Sequence, residues 1–113
     1  MSLVIEYTRL AEIDMDEIAD YFVNANQSTT VSTKFYQAIH KTAQFLARVS
    51  ETSVIGTLYE SDAPRCQNIR IWRVDGFPKH LIFFRIENST LKILRVFHGS
   101  RDYRTIMENE IED

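Results

Sequence analysis

Residues 68–98 read NIRIWRVDGFPKHLIFFRIENSTLKILRVFH, and this stretch decides the fold. It divides into three β-rich runs, Asn68 to Asp75, His80 to Glu87 and Leu91 to His98. The breaks at Gly76-Phe77-Pro78-Lys79 and Asn88-Ser89-Thr90 are of hairpin length. Leu81-Ile82-Phe83-Phe84 is apolar on both faces, which places the middle run inside a sheet covered on at least one side. Strand alternation puts Arg70 on one face with Trp72 and Val74, and Arg73 on the other with Ile69 and Ile71. The same alternation groups Arg95 with Leu91, Ile93 and Phe97. A cation among those neighbours needs a carboxylate, and Asp14 or Glu17 are the candidates.

Upstream of these strands the hydrophobic period lengthens. From about Ala11, the residues Ile13, Ile18, Tyr21, Phe22 and Ala25 recur at three- and four-residue spacings among Asp14, Asp16, Glu17 and Asp20, which predicts an amphipathic helix. Acids in its first turns suit the positive end of the helix dipole, and Asn24-Ala25-Asn26 suits its stop. A second helix is expected from a hydroxyl cap at Ser28 to Thr30 through Phe35, Ile39, Thr42, Phe45, Leu46 and Val49. The short join makes the two an antiparallel hairpin, the natural cover for the sheet. Leu3, Ile5 and Tyr7 alternate as an edge or near-edge strand. Ser50 to Arg65 reads as an ordered connection, and Tyr103 to Glu112 as a short final helix with Ile106, Met107 and Ile111 inward and a fraying acidic end. The predicted fold is α+β and two-layered: an N-terminal strand, a helical hairpin on a small antiparallel sheet, and a short C-terminal helix.

One domain, residues 1–113, is all that 113 residues accommodate. A 44% hydrophobic content with only three Gly and two Pro is enough for a packed core and too much for disorder. No apolar run approaches the roughly 20 residues of a bilayer span, and no secretion signal is visible, so a cytoplasmic location without membrane contact is expected. Cys66 is the single cysteine, which excludes an internal disulfide and reads as a small buried residue. The net charge of −3 conceals a segregation. Arg65 to Arg104 holds nine basic and three acidic residues, a local +6 against −9 elsewhere. Two readings stand: arginine stems covering apolar sheet while acidic helices keep the molecule dissolved, or a surface for anions or an acidic partner.

No pair among His40, His80 and His98 has metal-ligand spacing, and neither a phosphate-cradling glycine loop nor a nucleophile elbow occurs. No metal or cofactor is expected. Leu94 to Tyr103 stands out because a strand ends in His98-Gly99 and hands over to Ser100-Arg101-Asp102-Tyr103. A guanidinium, an imidazole and a phenol at one sheet end can act on a phosphate, so Arg101, Tyr103 and His98 are the catalytic candidates. The plain alternative is that Arg101 and Asp102 pair with neighbours and His98 packs at the strand end.

With these residues in view, the chain resembles the ParE branch of the RelE/ParE superfamily, the toxins of bacterial type II toxin–antitoxin (plasmid stabilisation) modules. Ala11, Asp14, Ile18 and Tyr21 are similar to its helix signature A-x-x-D-x-x-x-I-x-x-Y. Gly76-Phe77-Pro78 resembles its G-F-P hairpin. Leu94-Arg95-Val96-Phe97-His98-Gly99-Ser100-Arg101-Asp102 resembles its closing L-R-V-x-H-G-x-R-D strand.

The resemblance implies a helical hairpin on a small sheet and inhibition of DNA gyrase by protein contact, without hydrolysis. The RelE branch implies instead a metal-independent mRNA endoribonuclease on the ribosome, with Arg101 and Tyr103 matching its late Arg and Tyr. Against that, His80 stands where an arginine often precedes the central strand, and the Lys pairs are absent. A third reading is a non-toxic member that only binds its antitoxin. All imply a cognate antitoxin with a segment that folds on binding, for which Arg70, Arg73, Arg95 and Arg101 are the candidate antitoxin- or target-binding residues. A homodimer is a further candidate assembly.

Overall fold

The computed structural model describes residues 2–26 and 28–110. Strand β1 (Val4–Tyr7) leads into helix α1 (Arg9–Asn26), and α2 (Thr29–Val49) follows. Next come the two-residue strand β2 (Thr57–Leu58), a 3-10 turn at Pro64–Cys66, strands β3 (Arg70–Val74), β4 (Phe77–Glu87) and β5 (Thr90–His98), and helix α3 (Tyr103–Asn109). One five-stranded sheet has the order β1-β5-β4-β3-β2, which puts β4 and its Leu81-Ile82-Phe83-Phe84 run at the centre and β1 at an edge.

The sheet is mixed, whereas the strand pattern predicts an antiparallel one. β2 to β5 are antiparallel to their neighbours, but β1 runs parallel to β5, with Val4 opposite Thr90 and Tyr7 opposite Ile93. The reason lies at Thr8, a single residue between β1 and α1. Its backbone N–H donates to the Ile93 carbonyl at 3.0 Å, and its hydroxyl donates to the Leu94 carbonyl at 2.8 Å. The Val4 N–H makes the matching bond to the Ser89 carbonyl at 3.0 Å, four residues earlier on both strands, so the ladder that Thr8 completes rises in the same direction along β1 and β5. The Thr8 hydroxyl also accepts from the Ala11 N–H at 3.1 Å and so caps α1. The helix accordingly starts at Arg9, two residues before its apolar pattern does.

α1 and α2 cover one face of the sheet. Ala11 and Met15 of α1 and Phe35, Ile39, Ala43, Leu46 and Ala47 of α2 pack on Val74, Ile82, Phe84, Leu91, Ile93 and Val96. The inward face of α1 is therefore rotated from the one its large residues suggest: Ile13 and Tyr21 are exposed, and small Ala11 and Ala19 lie underneath. Ser28 caps α2, accepting from the Val31 N–H at 3.1 Å. On the far face a second cluster joins Phe83, Leu94, Phe97 and Ile69 to Tyr59, Cys66 and Met107 of the connection and α3. The final helix ends at Asn109 with Glu110 as its cap, and Ile111, Glu112 and Asp113 lie outside the described residues.

Turn chemistry sets the strand ends. β3 and β4 meet at Asp75-Gly76, with Gly76 at φ +82°, so β4 begins at Phe77 rather than His80. Pairing then jumps from Val74 opposite Phe77 to Arg73 opposite Leu81. Pro78 sits in the skipped segment, where its missing N–H does no harm. Asn88 and Ser89, both at positive φ, form the β4–β5 turn.

One irregularity of the sheet sets the facing of Arg95. Between Phe83 and Phe84 the β4–β5 register shifts, because Phe83 faces Arg95 and Phe84 faces Ile93. Leu94 is thus an inserted residue, a β-bulge. Beyond it the alternation inverts, so Phe97 joins the far-face cluster while Leu91 and Ile93 stay under the helices. Of the three neighbours that simple alternation gives Arg95, it therefore keeps Phe97, whose ring lies 4.7 Å from its guanidinium, and parts from Leu91 and Ile93.

Arg95 is 5% exposed and Asp14 3%. The guanidinium Nε and Nη2 donate to the two Asp14 carboxylate oxygens, both at 2.8 Å. Nη1 donates to the Glu110 carbonyl at 2.6 Å, and the Val96 N–H donates to Asp14 at 3.0 Å. The pair thus clamps α1, β5 and the end of α3, and it gives the Val96 donor a partner where β1 has already ended. Asp14→Ala leaves a buried cation unpaired, so we expect a loss of about 3–5 kcal/mol, read as a lower urea midpoint. Asp14→Asn, which keeps one acceptor, is expected to lose less.

Candidate functional site

The ion pair anchors one end of a groove between α1 and the ends of β4 and β5, with a volume of about 550 Å³. Asp14, Ile18 and Tyr21, three members of the helix signature, lie on its α1 wall beside Glu17 and Phe22. The opposite wall carries Lys79 and His80 from β4, Val96, Phe97 and His98 from β5, and Ser100 and Arg101 beyond. The floor is apolar, one rim acidic and the other cationic. Tyr21 is 63% exposed at the mouth.

His80 and His98 face each other across the β4–β5 pair, ring centroids 5.0 Å apart and nearly perpendicular. His80 also stacks among Phe22, Phe35 and Phe77. Burial, and secondarily His98, push its pKa down to about 4, so it is neutral near pH 7. The Ser100 N–H donates to His98 Nδ1 at 3.0 Å, which leaves Nε2 to carry the proton of the neutral ring. His40 lies apart, with its Nδ1 2.8 Å from the Tyr7 hydroxyl. Among the described residues, no three His, Cys, Asp or Glu side chains come together as metal ligands.

The structure separates the residues singled out in the sequence. His98 and Arg101 meet in the groove. Arg101 is exposed, its guanidinium 5.4 Å from the centre of the Phe97 ring, and makes no ion pair among the described residues. Arg95 stacks on the same ring at 4.7 Å, but its charge is already matched by Asp14. Tyr103 packs on Phe83 with centroids 5.1 Å apart, inside the far-face cluster. Arg70 and Arg73 are on β3, on opposite faces; Arg70 donates to the Gly56 carbonyl at 2.9 Å, and Arg73 is exposed. Sequence reasoning did not single out Glu17, Lys79 and His80 for this site. The signal available for the α1 wall was the Asp14, Ile18, Tyr21 spacing, which sets the three on one helical stripe.

A family described as "ParE toxin of type II toxin-antitoxin system, parDE" matches residues 5–103, from β1 to the start of α3. The chain belongs to the ParE toxin family. Among solved structures, one described as "Chromosomal ParDE TA system from P. aeruginosa" is similar to this ParE-family chain, with 22% identity and a TM-score of 0.69. The match covers 86% of this chain and 96% of that one, and it supports the shared fold. No curated protein matches the sequence. Among the described residues, no helix is long and apolar enough to cross a membrane.

In this ParE-family chain the groove rests on a histidine that must stay neutral. Because the native His80 pKa of about 4 lies below the ordinary 6.5, the unfolded chain binds the proton more readily throughout that interval. Stability is therefore full above about pH 6.5 and falls as the pH drops toward 4. Thermal melts between about pH 6.5 and pH 5, above the ordinary carboxylate range, are expected to lose midpoint in the native chain and much less in His80→Phe.

Proposed function

We propose that this ParE-family chain is a toxin that inhibits DNA gyrase by protein contact in the cytoplasm. A cognate antitoxin holds it inactive by folding a segment into the α1–β5 groove. The observation that carries the reading is the groove itself: an apolar floor with charged rims, on walls fixed by a buried ion pair, suits an amphipathic segment. Arg101 and Lys79 on one rim complement acids of such a segment, and Glu17 on the other complements a base. A segment that folds on binding also gains its order from rigid walls.

The endoribonuclease alternative requires Arg101 and Tyr103 at one phosphate. Arg101 lines the groove over the Phe97 ring, whereas the Tyr103 ring packs on the neighbouring Phe83 and is not among the groove-lining residues, and this favours the gyrase reading. The same arrangement suits a role in plasmid or chromosomal maintenance, where the toxin acts only once its antitoxin is lost.

Pulse-labelling within minutes of inducing the chain without antitoxin is expected to show DNA synthesis falling before protein synthesis. The purified chain is expected to inhibit supercoiling by gyrase, and Tyr103→Phe is expected to inhibit equally. Protein synthesis falling first, together with relief by Tyr103→Phe, would make the ribosome the target. Growth and supercoiling left unchanged would identify a member that only binds antitoxin.

A further inference from the structure

β2 pairs with β3 only at Thr57 opposite Ile71 and Leu58 opposite Arg70, and the Tyr59 N–H extends the ladder to the Ile69 carbonyl. It ends there because Gly56, at φ +93°, turns the chain away. A Cβ on Gly56 would lie 3.0 Å from the Ile71 carbonyl oxygen. The alternation that aims the polar backbone of Ile69 and Ile71 at β2 aims that of Arg73 the same way, past the end of β2. Trp72 to Val74 thus form an edge without a neighbouring strand among the described residues.

Two cavities flank this edge, one on each face of the sheet, and both are lined by Trp72. On the helix side, about 430 Å³ opens beside Phe45, Arg48 and Trp72. The two aromatic rings are 6.0 Å apart, and the Arg48 guanidinium lies 5.8 Å from the Phe45 ring centre. On the far side, about 390 Å³ is bounded by Ile71, Arg73 and Leu81. Alternate side chains of an added strand would point one into each.

The charges around the edge name the occupant. Lys41 and Asp75 satisfy each other at 3.4 Å. Arg48 on the helix face and Arg73 on the far face are exposed and face no carboxylate at ion-pair distance among the described residues. Each face therefore offers an apolar wall and one unmatched cation. Cations on an edge also oppose pairing with a second, identically charged edge.

We propose that the open edge of β3 at Trp72–Val74 is a docking site for an extended acidic peptide segment. The segment adds a strand there and turns one carboxylate toward Arg48 and another toward Arg73. This inference does not rest on the gyrase reading, because the groove is built by α1 and β5 and the edge by β3.

The test is an NMR titration of the isotope-labelled full chain with acetyl-Thr-Val-Val-Glu-Glu-Val-Thr-amide. The Arg73 amide is expected to shift and to exchange more slowly with solvent. N-methylating alternate residues of the peptide is expected to abolish binding in one phase and spare it in the other, because only every second N–H faces the edge. Arg48→Glu and Arg73→Glu are each expected to weaken binding about fivefold, the upper range for an exposed ion pair. Both side chains are exposed, so the fold is retained, and Arg101→Glu is expected to bind normally. The proposal is overturned if no amide of β3 responds at millimolar peptide, or if the Lys-for-Glu peptide binds as well. It is also overturned if the shifts map to the α1–β5 groove and vanish in Arg101→Glu. Protection of Arg73 that rises with protein concentration alone would assign the edge to a second copy of the chain.

Discussion

Every part of the groove is referred to the buried contact between Asp14 and Arg95. Two full charges taken out of water are tolerated only when their hydrogen-bonding capacity is used up. Here Asp14 accepts from Arg95 twice and from Val96, while Arg95 also reaches the Glu110 carbonyl. The bidentate geometry fixes distance and rotation together, as a point-charge lysine would not. α1 is thereby held at one azimuth over β5, and that azimuth places Ile18 and Tyr21, one and two turns on, along the groove wall.

The bulge at Leu94 makes this contact possible. A regular strand would leave Phe97 with Leu91 and Ile93 beneath the helices. One inserted residue sends Phe97 to the far face, where it packs on Phe83 at 5.6 Å, and places Arg95 between the two cores. From there Arg95 reaches a helix on one side and the end of α3 on the other. Arg95 and Arg101 then lie against one aromatic ring with different tasks. The first is neutralised and structural; the second is exposed and available to a partner.

The charge segregation of the sequence takes a spatial form that neither of its two readings covers alone. Arg70 and Arg85 donate to backbone carbonyls of the connection, and Arg95 is internal, so part of the basic segment holds the fold. Arg101, Lys79 and Arg73 remain at the surface in two separate places. The acids of α1 face the first of these across the groove. The −3 net charge therefore says little about what either surface binds.

Hydrophobic period, capping residues and hairpin turns were enough to show the helix pair, the three long strands and their order along the chain, because each depends on neighbours a few residues apart. The need of Arg95 for a carboxylate from the first helix was also legible, since a cation in an apolar strand has few ways to be matched. The parallel course of β1, the bulge that inverts β5 and the packing of Tyr103 on Phe83 rather than along the groove were not. A one-residue insertion reverses the facing of every later side chain while leaving the local pattern of apolar and polar residues unchanged. Which residues meet across the groove was decided by strand register and by the rotation of α1, both of which are set by contacts between residues some eighty positions apart.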